Sequence, residues 1–171
     1  KIIIEEKLIG EEFSLFTLSD GENFIHFPPV QDYKRAFNGN KGPNTGGMGS
    51  IMDKFHFLTD EDIKKCEELN SNVIKFLKNK YSQLYIGILY GSYIKTINNE
   101  KKLIEFNCRF GDSEVFNLLN IIKNDLSDVF KHMINGNLNN IKLELNDKSN
   151  IVKYLVPNGY PKNPEKKYID Y

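Results

Sequence analysis

Hydrophobic positions along the chain follow two different periods, and each change of period marks an element. Runs rich in β-branched and aromatic residues at 2–4, 13–18 and 23–27 read as strands, with Ser19, Asp20, Gly21 and Glu22 as the turn before the third. Such a series predicts an antiparallel meander. Pro28 and Pro29 end the third strand, because proline cannot donate to a ladder, and a long irregular stretch is expected from residue 30 to 57. Thr59 followed by Asp60, Glu61 and Asp62 has the form of a capping box. Beyond it, Ile63, Cys66, Leu69, Val73, Phe76 and Leu77 recur at helical spacing as far as Asn79. Residues 84–97 read as a strand, Asn98, Asn99 and Glu100 as a turn, and 102–107 as the returning strand. Helices are expected over 113–122 and 125–134, the second stopped by Gly136, with further strands at 141–145 and 151–156 and turn chemistry over 157–161. The fold class implied is α+β, an antiparallel sheet with helices packed on it.

Within the returning strand, side chains alternate sides. Leu103, Glu105, Asn107 and Arg109 are therefore expected on one surface, and Ile104, Phe106, Cys108 and Phe110 on the other. A carboxylate and an amide oxygen two residues apart are hard-oxygen donors suited to Mg²⁺, which keeps its other positions for water and phosphate. A half-exposed strand with one polar face gives the same pattern, so alternation alone leaves both readings open. The irregular stretch contains Gly39, Gly42, Gly46, Gly47 and Gly49, but it lacks the Lys-Ser/Thr ending of a Walker loop and does not join a strand to a helix. Asp32, Lys34 and Arg35 lie just upstream, and cations beside free amides can cradle an anion; a flexible turn is the alternative.

Composition narrows the partners. Lys plus Arg and Asp plus Glu are equal at 23 each, so no net field draws the chain to nucleic acid or to an anionic membrane, and small-molecule partners are expected. Cys66 and Cys108 have neither metal-ligand spacing nor a disulfide framework, which fits a reducing, cytoplasmic setting. His26, His56 and His132 are scattered with no zinc-site spacing. No run of about 18 apolar residues and no charged-then-apolar leader occurs. The opening Lys-Ile-Ile-Ile-Glu-Glu and the ending at Asp170-Tyr171 read as the ends of an excised piece of a longer chain.

Three stretches in order, Gln31-Asp32-Tyr33-Lys34-Arg35, residues 42–49 (Gly-Pro-Asn-Thr-Gly-Gly-Met-Gly) and residues 105–112 (Glu-Phe-Asn-Cys-Arg-Phe-Gly-Asp), resemble those of phosphoribosylamine–glycine ligases. These enzymes, also called glycinamide ribonucleotide synthetases, belong to the ATP-grasp superfamily. The resemblance runs from Lys1 to the Gly159-Tyr160-Pro161 region, and it implies that residues 1–150 are the second lobe of an ATP-grasp domain and 151–171 the start of a carboxy-terminal domain. A first ATP-grasp lobe would lie outside this chain. In the family the reaction has two steps: ATP phosphorylates the carboxylate of glycine, and the amine of 5-phosphoribosylamine attacks the glycyl phosphate.

By resemblance, Glu5, Glu6 and Leu8 lie where the backbone meets adenine and Glu12 where an acid holds the ribose hydroxyls. Glu105 and Asn107 match the ligands of Mg²⁺ (or Mn²⁺) on the ATP phosphates, and Arg109 would face the transferred phosphoryl group. Asp32, Lys34 and the loop residues Asn44, Thr45, Gly46 and Gly47 would line the amino-acid and phosphate end of the cleft, with Asp112 orienting the loop or the ammonium of glycine. No covalent nucleophile is implied, so Cys108 is expected to be a buried strand residue. The chain departs from the family pattern where Ser113 and Phe116 stand in place of a proline and a glutamine, and where Ser50-Ile51-Met52-Asp53 follows the glycine-rich loop. Those departures keep open another ATP-grasp carboxylate-amine ligase with a different acceptor, or a non-catalytic nucleotide-binding remnant.

Overall fold

The structure is a computed structural model and describes residues 2–165. The extreme ends that suggested an excised piece, Lys1 and 166–171, lie outside the described residues. Four strands form the main antiparallel sheet: β1 (Gly10–Asp20), β2 (Phe24–His26), β7 (Ile86–Thr96) and β8 (Lys101–Asn107), in the order β2-β1-β7-β8. The expected strand at 13–18 is thus the buried middle of a longer one, and its long partner is β7. Residues 2–9 are not a strand: Ile2, Ile3 and Ile4 are exposed and have no ladder partner, so β-branching alone does not make them one. The meander is limited to β1 and β2.

Both faces of the sheet are covered, which explains why residues 13–20 are buried without a break. One face carries Phe13, Leu15 and Tyr93 against Cys66 of α1 (Asp60–Tyr81), with Leu103 packed beside them. On the other face, Phe16, Leu18 and Tyr90 meet Leu118 and Ile121 of α2 (Glu114–Ile121) and Val129 and Met133 of α3 (Leu126–Ile134). The expected capping box is present at the start of α1: the Thr59 side chain accepts from the Asp62 amide, while Asp62 accepts from the Thr59 amide. Asp62 also holds Lys95 at 2.6 Å and Lys101 at 2.7 Å, so one buried carboxylate ties the helix to both strands of the β7–β8 hairpin.

The stretch from 30 to 57 is not irregular. It contains β3 (Gln31–Asp32), the small hairpin of β4 (Arg35–Phe37) and β5 (Lys41–Asn44), and β6 (Gly49–Met52). Strand β6 sits between β3 and β9 (Asn150–Lys153), a partner about 100 residues away that no local pattern announces. Close approach explains Gly49: a Cβ there would lie 2.3 Å from the Val152 carbonyl oxygen, at φ 146°. Residues 141–145, expected as a strand, contribute a single bridge from Leu145 to Ile122. Among the described residues no helix is long and apolar enough to cross a membrane.

His26 bridges β2 to the rest of the core, its ring nitrogens meeting the Thr17 hydroxyl at 2.9 Å and the Ser71 hydroxyl at 3.3 Å. Burial pushes its pKa down to about 4 from 6.5. The unfolded chain therefore binds a proton first, and stability contributed by neutral His26 is complete above pH 6.5 and is lost as pH falls toward 4. In urea titrations, lowering the pH from 7 to 5 is expected to remove about 1–2 kcal/mol more from the chain than from its His26→Gln variant. Equal losses in the two proteins would contradict this role.

Candidate functional site

Directly opposed residues of an antiparallel pair share a face, so the ladder fixes what the site surface presents. Ser14 pairs with Ser92, which pairs with Glu105; Phe16 pairs with Tyr90, which pairs with Asn107. Glu12, Ser14, Glu105 and Asn107 therefore share one face. A bulge in β8 sets Leu103 opposite Tyr93 and Glu105 opposite Ser92, leaving Ile104 as the extra residue. As a correction to simple alternation, Leu103 faces α1 rather than joining Glu105 and Asn107.

Glu105 and Asn107 stand side by side, the Asn107 amide donating to Glu105 Oε1 at 3.0 Å. The Asn107 amide oxygen and the second Glu105 oxygen are hard donors outside that bond, a set that fits a Mg²⁺ ion retaining water and phosphate oxygens. Strand β8 ends at Asn107, and this changes the residues that follow. Arg109 lies in a bend, exposed, its guanidinium donating to the Phe110 carbonyl at 3.0 Å, so strand alternation does not place it. Phe110 turns back to pack on Phe16, with ring centroids 5.9 Å apart, and Cys108 is exposed rather than buried. Ile104 is exposed as well.

The residues around 32–34 and the glycine-rich loop are brought together. The Met48 amide donates to the Tyr33 carbonyl, the Tyr33 amide to the Gly49 carbonyl, and the Thr45 amide and hydroxyl both donate to the Lys34 carbonyl. Thr45 also accepts from the Gly47 amide at 3.1 Å, while Gly46 has open space around it and Asn44 is exposed at the end of β5. The Lys34 ammonium lies 3.7 Å from Asp32 and 3.8 Å from Glu12, so it bridges β3 to β1. The side chain of Asp32 is only 6% exposed, which makes that charge a fixed part of the site.

Glu5 and Glu6 are exposed and Leu8 half-buried in the extended segment before β1; Glu6 pairs with Lys102 at 2.6 Å, and the Ile97 amide donates to the Ile9 carbonyl. These contacts lay the segment along the β7–β8 hairpin. A cavity of about 430 Å³ lies beside Ile9, Phe57 and Ile97, and one of about 670 Å³ between His26, Met52, Phe55 and Ile63. Neither is lined by Glu105, Asn107, Lys34 or Asp112. Glu12 and Glu105 are exposed and Asn107 half-buried, so the candidate site is instead the part of this sheet face that the helices leave uncovered.

On the same face, where the start of α2 covers it, lies a buried polar group that sequence reading missed. Ser14 donates to the Tyr90 hydroxyl at 2.8 Å and approaches the Glu114 carboxylate at 3.4 Å; Glu114 is 2% exposed. Burial, and then Asp32, push the Glu114 carboxyl above its ordinary range. Within a run as apolar as Phe13-Ser14-Leu15-Phe16, nothing in the sequence marks Ser14 as a partner for a helix 100 residues away. Ser113, at the N-terminus of α2, makes no side-chain cap there. Its hydroxyl donates to Ser50 at 2.8 Å, and Ser50 bonds Asn117, which in turn bonds Asn150. Phe116 is exposed on the surface of α2.

A family profile described as the phosphoribosylglycinamide synthetase ATP-grasp (A) domain matches residues 1–115. A phosphoribosylamine–glycine ligase of Methanosarcina barkeri is 42% identical over 168 residues, 96% of this chain and 39% of that protein. One from Methanococcus vannielii is 45% identical over 169 residues, covering 97% of this chain and 38% of the relative. The crystal structure of phosphoribosylamine–glycine ligase from Thermotoga maritima superposes with a TM-score of 0.78 at 31% identity, over 94% of this chain and 40% of that one. The chain spans about two fifths of the length of these relatives.

Proposed function

Because the chain belongs to the phosphoribosylglycinamide synthetase family, matching its ATP-grasp domain, we propose that it forms the second lobe of a ligase joining glycine to 5-phosphoribosylamine. The products would be glycinamide ribonucleotide, ADP and phosphate, in purine biosynthesis in the cytoplasm. The observation that carries the reading is Glu105 and Asn107, side by side on the same sheet face as Glu12 and bounded by the Lys34–Asp32 pair and the glycine-rich loop. An ATP-grasp lobe outside these residues would close the cleft, and residues 151–171 would lead into the carboxy-terminal domain.

In this reading, the segment holding Glu5, Glu6 and Leu8 offers backbone to adenine, and Glu12 accepts from the ribose hydroxyls. Glu105 and Asn107 would hold Mg²⁺ (or Mn²⁺), which neutralises phosphate charge during phosphoryl transfer. Arg109, exposed in the bend after β8, would face the transferred phosphoryl group. Lys34, set between Glu12 and Asp32, faces the same end of the cleft, where the amides of Thr45, Gly46 and Gly47 and the side chain of Asn44 accommodate the acyl phosphate. Asp112 receives the ammonium of glycine. Half a cleft neither excludes water nor orients both substrates, so residues 1–171 alone are expected to be inactive.

ADP release by the full-length enzyme tests the proposal. Release that requires glycine and 5-phosphoribosylamine together supports it. Turnover with a different amine acceptor would replace it by another carboxylate-amine ligase, and nucleotide binding without turnover by a non-catalytic remnant.

A further inference from the structure

Three separate segments meet at the amino-acid end of the candidate site, and Tyr154, at the end of one, touches the other two. Its hydroxyl donates to Asp112 Oδ1, and its backbone amide donates to the Met48 carbonyl at 3.1 Å, within the glycine-rich loop. The two regions it joins already lie against each other: a Cβ on Gly47, at φ 141°, would sit 3.1 Å from the Asp112 carbonyl oxygen. Tyr154 immediately follows β9, whose ladder with β6 runs from Asn150 to Lys153 and so sets where the ring begins. Below, the buried chain Ser113–Ser50–Asn117–Asn150 ties the same three segments again, through the start of α2, β6 and β9. The hydrogen bond to Asp112 raises the Tyr154 phenol to about 12, so it keeps its proton, and remains a donor, throughout the physiological range.

We propose that Tyr154 is a positioning residue, which sets the Asp112 carboxylate and the glycine-rich loop together as one unit at the amino-acid end of the cleft. Asp112 is exposed and its turn is short, so without the phenol its carboxylate can rotate among rotamers, and binding must then restrict it. The effect falls on the substrate that Asp112 and the loop hold, not on the nucleotide, which lies toward Glu12 and the segment before β1. This inference rests on the ligase reading given above.

Two measurements on the full-length enzyme separate the inference from that reading. Tyr154→Phe keeps the ring and removes the donor. Hydrogen exchange of its amides is expected to rise at 45–49 and at 111–113 alike, a result independent of which substrate the enzyme uses; a change confined to the neighbours of 154 would overturn the proposal. In steady state, the variant should show KM for the amino acid raised about tenfold, with KM for ATP unchanged and kcat within about threefold. In the double variant with Asp112→Asn, the phenylalanine substitution should add nothing further. Additive losses, or equal rises in the two KM values, would overturn it. Absence of any glycine-dependent turnover in the unaltered enzyme would instead overturn the ligase reading, with the exchange result still deciding for or against Tyr154.

Discussion

Glu105→Gln in the full-length enzyme is expected to lower kcat by at least about a hundredfold, with the protein still folded. The substitution keeps side-chain volume and a neighbour for the Asn107 amide, but it replaces an anionic oxygen donor with a neutral one. Strand β8 holds the two donors through its ladder with β7, and Glu105 is exposed, so little of the fold depends on its charge. The expected signature is a large loss of turnover with an unchanged thermal midpoint. A residual rate within tenfold of the unaltered enzyme would mean that Glu105 does not hold the metal that serves phosphoryl transfer.

A second large effect concerns stability. Asp62→Ala is expected to cost about 3 kcal/mol, read as a lower midpoint in urea. Three partners lose their acceptor at once: Lys95, Lys101 and the Thr59 amide at the start of α1. Burial alone would raise the Asp62 carboxyl, yet the ammonium groups of Lys101 and Lys95, with Thr59, hold it far below the ordinary 3.8. Since the folded value is depressed, this stabilisation is complete above the unfolded value and is lost only as pH falls through the folded one. Asp62→Asn, which can still accept from the Thr59 amide but carries no charge, should fall between the two. A loss under about 0.5 kcal/mol for the alanine variant would show the network to be a surface arrangement of little energetic weight.

How far these features can be read in advance depends on whether their causes are local. Helix α1 is legible because Thr59 and Asp62 cap it within one turn and Ile63, Cys66 and Val73 recur at its period. The β7–β8 hairpin is legible because Asn98 and Asn99 turn between two strand runs. Glu105 and Asn107 keep the shared face expected of them, but Leu103 does not, since a bulge is a property of the pair and not of one strand. Strands β3 to β6 are two to four residues long, too short for a pattern to mark them; β3 and β6 belong to a sheet that β9 completes from far along the chain, while β4 and β5 pair as a separate hairpin. The converse holds for residues 2–4, which have every local mark of a strand and no partner. Ser14, Glu114 and Tyr154 fall in the same class: each has its surroundings set by segments distant in sequence, which a single chain of letters does not reveal. The order of residues in the motifs singled out Asp32, Lys34 and residues 42–49, which alternation does not mark, and hydrogen bonds to the Tyr33 and Lys34 carbonyls bring these segments together.

Anomalous scattering from Mn²⁺ tests the metal and nucleotide assignment most directly, in crystals of the full-length enzyme grown with the metal and a non-hydrolysable ATP analogue. Density is expected between the Glu105 carboxylate and the Asn107 amide oxygen, at about 2.0–2.2 Å from each and in contact with the analogue's phosphates. Manganese bound to the analogue with Glu105 and Asn107 outside its coordination sphere would contradict the assignment.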